Sequence, residues 1–243
     1  MRLHRFYLNT PIKHTKTVIK DERLIHQWRD VFRYNVGSEV IIFDGSGTEY
    51  DAVIEKLTNR EAELRLVSEK KGIVPNQKVF LYQSLIKKDK MEWVVEKATE
   101  LGVSKIVSVV SERSEKKGFN LERMIKIAIE ASEQCGRADV PEVAQVMDLD
   151  EVLKDCDKVI VFDHSGTPLL SSSNNSSPTP SLTTREGAML SLISIFIGPE
   201  GGWTEKELEM FRGANAKIYS LGKLTLRAET AAIVALATSK LLC

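Results

Sequence analysis

The chain predicts an α/β protein, a mostly parallel sheet with helices on both faces, preceded by a small β-rich module. Three observations carry that expectation. From residue 79 onward, apolar strand-like runs (79–86, 106–110, 158–162) alternate with segments of helical periodicity (90–101, 121–135), the rhythm of a parallel sheet. Before residue 70 the pattern is instead two-residue alternation broken by turn signals. Close to the C-terminus, two strand-like runs each pass straight into a glycine-containing loop and then a helix start.

The N-terminal module spans residues 1–72. Segments 40–43 and 50–54 flank Asp44-Gly45-Ser46-Gly47, a hairpin turn signal, and Ala62, Leu64 and Leu66 alternate with Glu63 and Arg65. A helix is expected over 22–33, with Leu24, Ile25, Trp28, Val31 and Phe32 turned to the core and Arg29 and Arg33 outward. The Lys70-Lys71-Gly72-Ile73-Val74-Pro75-Asn76 stretch marks the boundary, and residues 73–243 form the second domain. There, Met91, Val94, Val95, Ala98 and Leu101 mark one buried helical face, and Leu121, Met124, Ile125, Ala128 and Ile129 another. Residues 165–187 are rich in Ser, Thr, Asn and Pro without apolar periodicity, so a mobile low-complexity loop is expected between two core strands.

Composition bounds the function. With 243 residues the chain can bury a sizeable core, and no apolar run is long enough to span a bilayer. No signal-peptide pattern opens it, so a soluble cytoplasmic protein is expected. Cys135, Cys156 and Cys243 are odd in number and widely spaced, which indicates neither a disulfide framework nor a metal site. The formal net charge is zero, which taken alone argues against a nucleic-acid partner. The distribution is uneven: residues 1–34 hold eight Lys and Arg against three Asp and Glu. A basic rim on a small β module suits RNA; an ordinary solvated helix face is the alternative reading.

The C-terminal junctions carry the chemistry. Residues 189–197 are almost unbroken apolar, as in a strand covered on both faces, and lead into Gly198-Pro199-Glu200-Gly201-Gly202-Trp203-Thr204. Thr204 and Glu207 have capping-box spacing, so a helix begins near Glu205, and Gly213 is expected to stop it. The spacing is not G-x-G-x-x-G, and Glu200 stands where a pyrophosphate would be repelled. A cationic ligand with an apolar body, such as a sulfonium, suits the loop better; a plain surface turn is the competing reading. The second junction runs from the short strand 218–221 through Gly222 to a helix over 228–242, with Ala231, Ala232, Ala235, Leu236 and Leu242 as its small and apolar positions. Glu229 suits the first turn of that helix electrostatically; Arg227 does not, which points to a functional role.

Together, Ile197-Gly198-Pro199-Glu200-Gly201-Gly202 and Leu221-Gly222-x-x-x-Leu226-Arg227-x-Glu229-Thr230-Ala231 resemble the signature of the bacterial 16S ribosomal RNA uridine N3-methyltransferase family, of the SPOUT class. His4-Arg5-Phe6-Tyr7-Leu8, Lys90-Met91-Glu92, Glu100-Leu101-Gly102-Val103, Ser111-Glu112-Arg113-Ser114 and Glu133-Gln134-Cys135-Gly136-Arg137 extend the resemblance over nearly the whole chain. It implies a SPOUT-type sheet with a C-terminal trefoil knot and a PUA-like N-terminal β-barrel, a fold that ordinary rules against knotting exclude. It further implies S-adenosyl-L-methionine as cofactor, held by Phe162, Ile197, Gly198, Pro199, Glu200, Gly201, Gly202, Leu221, Gly222 and Leu226. The expected substrate is 16S ribosomal RNA or the small subunit, and the expected assembly a homodimer.

Within that frame Arg227 is the first candidate to hold the uracil oxygens, Glu133 or Gln134 to orient the base. Arg5, Arg29, Arg33, Arg113 and Arg137 are candidate RNA contacts. Leu224 departs from relatives that are commonly basic at this position, which leaves open a second cation beside Arg227. Cys135 is expected to be a packed helix-end residue, because methylation at a ring nitrogen needs no covalent adduct. Two other readings remain: a knotted RNA-binding protein without catalysis, and a SPOUT enzyme acting on another RNA or on a ribose 2′-hydroxyl.

Overall fold

The computed structural model describes residues 3–12, 16–115, 118–169 and 192–239. The chain divides into two compact units, one comprising Met1–Val74 with Ser132–Val140, the other Pro75–Ala131 with Pro141–Cys243.

The first unit is built on β1 (Arg5–Tyr7), β2 (Lys16–Ile19), β3 (Glu39–Phe43), β4 (Thr48–Leu57) and β5 (Ala62–Lys71). They form one sheet in the order β1-β3-β4-β5-β2. The 44–47 turn joins β3 and β4 as an antiparallel hairpin, whereas β1 adds to β3 in parallel. Strand alternation buries Phe6, Val40, Ile42, Ile54 and Leu64 on one face, and Trp28 completes the cluster at 0% exposure. Truncating such an indole to alanine costs about 3–5 kcal/mol. Helix α1 (Glu22–His26) starts with the Asp21 carboxylate accepting from the Arg23 and Leu24 amides. It then widens into a π-helical turn over Gln27–Val31. The wider turn overturns two expectations drawn from an uninterrupted helix. Val31 swings out to 64% exposure instead of joining the core, and Arg33 lies beyond the helix in the left-handed region, at φ 55°.

The second unit contains β6 (Val79–Ser84), α2 (Lys88–Glu100), β7 (Lys105–Val110), α3 (Leu121–Cys135), β8 (Glu142–Val143), β9 (Met147–Asp148), α4 (Leu149–Leu153), β10 (Val159–Pro168), β11 (Ile193–Ile197), α5 (Glu205–Gly213), β12 (Lys217–Ser220) and α6 (Ala228–Ser239). The last turn of α3 is counted with the first unit. The sheet runs β12-β10-β11-β6-β7-β8, with β9 also on β7, and every pairing is parallel. All five residues of β11 are buried, as the unbroken apolar run requires of a central strand. On one face Tyr82 stacks on Phe196 at 4.4 Å, and Phe211 of α5 meets Phe196 edge-on at 5.2 Å. On α2, Met91, Val94, Val95 and Ala98 are buried as expected. On α3 the buried positions are Met124, Ile127, Ala128 and Ala131, while Ile125, expected inside, is 38% exposed. That stripe is one residue out of step with the expected one.

The end of β10 is unusual. Phe162 lies opposite Tyr219 of β12, and after a short excursion Thr167 lies opposite Tyr219 again, with Pro168 opposite Ser220. Gly166 sits against this crossing: a Cβ there would come within 2.4 Å of the Tyr219 carbonyl carbon. Only a residue without a side chain lets the two backbones approach so closely. Residues 165–168, expected in the mobile insertion, instead extend β10, and the rest of the 165–187 insertion beyond residue 169 lies outside the described residues. Leu242 and Cys243 also lie outside them.

Candidate functional site

Three neighbouring strands end at the same level. In register, Ile197 of β11 lies beside Phe162 of β10, and Phe162 beside Tyr219 of β12. The loops that leave these carboxyl ends enclose a cleft of about 260 Å³. Ligands of open α/β sheets bind at this edge because adjacent loops diverge there. Its walls are Phe162 to His164, Ile197 to Trp203, Ser220 to Gly222, Leu224 to Leu226, Ala228 and Ala231. All ten residues expected to hold the cofactor line this one cleft.

Each wall has a local cause. The 198–203 loop is tightened by the Gly202 amide donating to the Pro199 carbonyl at 2.9 Å, with Gly202 at φ 70°, in the left-handed region. At Gly198 a Cβ would meet the Trp203 ring at 3.2 Å, so glycine lets the indole pack beneath the loop. Trp203 is buried, and its Nε1 has no hydrogen-bond partner among the described residues. The loop ends in the expected capping box: Thr204 caps α5, and Glu207 returns to the Thr204 amide. The helix ends at Gly213 as expected, and the left-handed turn follows at Asn215, φ 55°. An asparagine tolerates that conformation. On the third wall, the Ser220 hydroxyl accepts from the Gly222 amide at 3.3 Å and donates to the Gly222 carbonyl at 3.1 Å, fixing the chain's exit from β12.

The cleft's charge is distinctive. Asp163 and Glu200 are lining carboxylates, and neither Lys nor Arg is in its lining among the described residues. Beside His164, Ser220 and Thr225, the remaining lining is apolar side chain and glycine backbone, and the paired carboxylates suit a cation with an apolar body better than a phosphate. Trp203 and Thr225 lie within the two C-terminal motifs, and Asp163 and His164 directly follow Phe162, so the sequence marked these segments without naming the four residues as cofactor contacts.

The remaining candidates fall into two groups. Arg227 is exposed, between the lining residues Leu226 and Ala228, and Arg113 donates from Nη1 to the Gly201 carbonyl at 2.9 Å. Glu229 is buried near the Lys90 ammonium, 3.7 Å away, a structural placement of the kind its helix-start position suggested. Glu133, Gln134, Arg5 and Arg137 belong to the first unit. There the Glu133 carboxylate accepts from the Tyr7 amide at 2.9 Å, and Gln134 is exposed. Arg137 is buried and forks onto Asp139 at 2.7 and 2.8 Å, while its carbonyl accepts from Arg5, itself paired with Glu49. Arg29 is half-buried and Arg33 exposed. Among the described residues no group of His, Cys, Asp and Glu could hold a metal ion, and no helix is long and apolar enough to cross a membrane.

A parallel sheet with its cleft at the ends of neighbouring strands, in a chain that also carries a small N-terminal β unit, fits the SPOUT class with a PUA-like N-terminal domain. Residues 74–240 match the family model of the RNA methyltransferase domain, and residues 29–67 that of the RNA methyltransferase PUA domain. The chain belongs to the RNA methyltransferase family those models describe. It is 29% identical to ribosomal RNA small subunit methyltransferase E of Rickettsia conorii, over 100% of this chain and 97% of the relative. With the protein of the same name from Bacillus subtilis it shares 32% identity over 87% of this chain and 85% of the relative. Among solved structures it is similar to ribosomal RNA small subunit methyltransferase E from Neisseria gonorrhoeae bound to S-adenosyl methionine: TM-score 0.83, 28% identity, 99% of this chain and 98% of that one. A putative methyltransferase from Legionella pneumophila with bound cofactor SAM gives the same score at 25% identity, again over 99% of this chain and 98% of that one.

Proposed function

We propose that this protein is an S-adenosyl-L-methionine-dependent methyltransferase acting on N3 of a uridine in 16S ribosomal RNA. The observation that carries the reading is the cleft: two separate sequence motifs meet around one anionic, largely apolar pocket at the strand ends. The names of the relatives supply the substrate class, and the uridine N3 position follows from the motif resemblance.

Phe162, Ile197 to Gly202, Leu221, Gly222 and Leu226 hold the cofactor, with glycine backbone against its polar groups and Asp163 and Glu200 supplying negative potential for its positive charge. When bound, that group supplies an electrophilic methyl. The chain's own work is to orient the uracil and to manage one proton. Uridine N3 is a poor nucleophile until its proton leaves, so a cation that stabilises the ring anion speeds the reaction. Arg227, at the start of α6 beside the cleft, takes that role through the uracil oxygens. Bound there, the cofactor would supply the methyl that N3 takes, and the N3 proton would have to leave to solvent or to a base. Glu133 and Gln134 remain the proposed base-orienting residues. Arg29, Arg33 and Arg113 are the more exposed candidates for RNA phosphates, while Arg5 and Arg137 are engaged by Glu49 and Asp139 within the first unit. A homodimer is the proposed assembly and the cytoplasm the proposed location.

The test is nucleoside mass spectrometry of 16S ribosomal RNA from a strain lacking the gene. Loss of 3-methyluridine, restored by the wild-type gene and not by Arg227→Ala, is the expected result. Persistence of 3-methyluridine overturns the assignment.

A further inference from the structure

The loop after β7, Ser111-Glu112-Arg113-Ser114, lines no part of the cleft, yet it is fastened to the cofactor loop at two points. Glu207 in the first turn of α5 is buried, and both its oxygens are engaged. Oε2 accepts the Thr204 amide at 2.7 Å and the Thr204 hydroxyl at 3.0 Å, as capping requires; Oε1 accepts the Glu112 amide at 2.9 Å. That third bond serves no capping purpose and joins α5 to a loop 95 residues earlier in the chain. One residue further, the Arg113 guanidinium donates to the Gly201 carbonyl, and its stem packs so closely that a Cβ on Gly201 would lie 3.2 Å from Arg113 Cδ. The Ser111–Ser114 turn is internally braced, with the Ser114 hydroxyl accepting from the Ser111 amide and donating to the Ser111 carbonyl. Arg113 is nonetheless exposed, and a guanidinium carries five N–H donors.

We propose that Arg113, anchored through Glu207, is a positioning residue that holds the 198–203 loop in its cofactor-binding shape from outside the cleft. With its remaining donors it takes an RNA phosphate, so that RNA and cofactor binding are coupled through one side chain. A phosphate that orders the guanidinium strengthens its hold on Gly201, and by linkage the occupied cofactor loop strengthens the phosphate contact by the same factor. The proposal rests on the reading of the cleft as the cofactor site.

The experiment is calorimetry with S-adenosylmethionine, with and without a single-stranded uridine-containing RNA oligonucleotide, on the full chain and its variants. In the wild type the RNA tightens cofactor binding. Arg113→Ala weakens cofactor binding by roughly tenfold or more, the scale of one charge-assisted hydrogen bond, and abolishes the RNA effect with Tm unchanged. Glu207→Gln, if it folds, loses affinity in the same direction; if it does not fold, the exposed Arg113 decides the matter alone. Leu226→Arg, which places a bulky cation in the cleft, separates the two ideas. If Leu226→Arg abolishes cofactor binding while Arg113→Ala binds like the wild type, or keeps the RNA effect, the coupling role is overturned. If Leu226→Arg binds normally, the cleft assignment itself fails.

Discussion

Leu224 is 80% exposed and lines the cleft. Because its side chain packs against little, Leu224→Lys leaves Tm unchanged. RNA affinity rises, and a plot of log affinity against log salt steepens by about one unit if the ammonium reaches a phosphate. Filter binding at several salt concentrations reads both. Gly166 behaves oppositely. Gly166→Ala forces a Cβ onto the Tyr219 backbone, costing about 1–3 kcal/mol or more, and lowers both Tm and cofactor affinity. Asp51 gives a pH dependence. The Ser68 hydroxyl, and then Lys70, hold its carboxyl below the ordinary 3.8. A depressed folded value stabilises the protein above the unfolded pKa and loses that contribution as pH falls through the folded one. Thermal melts therefore show Tm dropping below about pH 4, and Asp51→Asn makes that decline shallower. Cys135 ends α3 as expected but is exposed rather than packed, and Cys135→Ser retains methyl transfer.

At the scale of elements, the sequence was most legible where one local interaction decides the outcome. The Thr204–Glu207 capping box and the 44–47 turn between β3 and β4 are encoded within four residues and occur where expected. Thr204→Ala removes that cap and costs about 1 kcal/mol, read as a lowered Tm. Elements were misread where a backbone irregularity or a packing partner decides. Periodicity of 3.6 assumes an unbroken helix, so the π-helical turn at Gln27–Val31 displaced Val31 and Arg33. On α3 the burial stripe falls on Met124, Ile127, Ala128 and Ala131, because the surface beneath it, not the pattern alone, chooses among adjacent apolar positions.

For the molecule as a whole, the alternation of strand and helix was enough to predict a parallel sheet, and the two glycine motifs marked a ligand-binding edge. Order across that sheet was not legible. Strands β10, β11 and β12 occur in sequence, yet β10 lies between the other two, and this interchange brings three loops to one cleft. Size-exclusion chromatography with light scattering is expected to give twice the 27.3 kDa chain mass, as the proposed homodimer requires.

By itself the sequence determined the elements, the cofactor motifs and the family, because caps, turns and alternation act over a few residues. Tertiary structure alone decided that β10 lies between β11 and β12, and that Glu207 reaches back to Glu112. Such contacts depend on strand order and register, which are set when the whole sheet packs and the cost of closing long loops is offset at once.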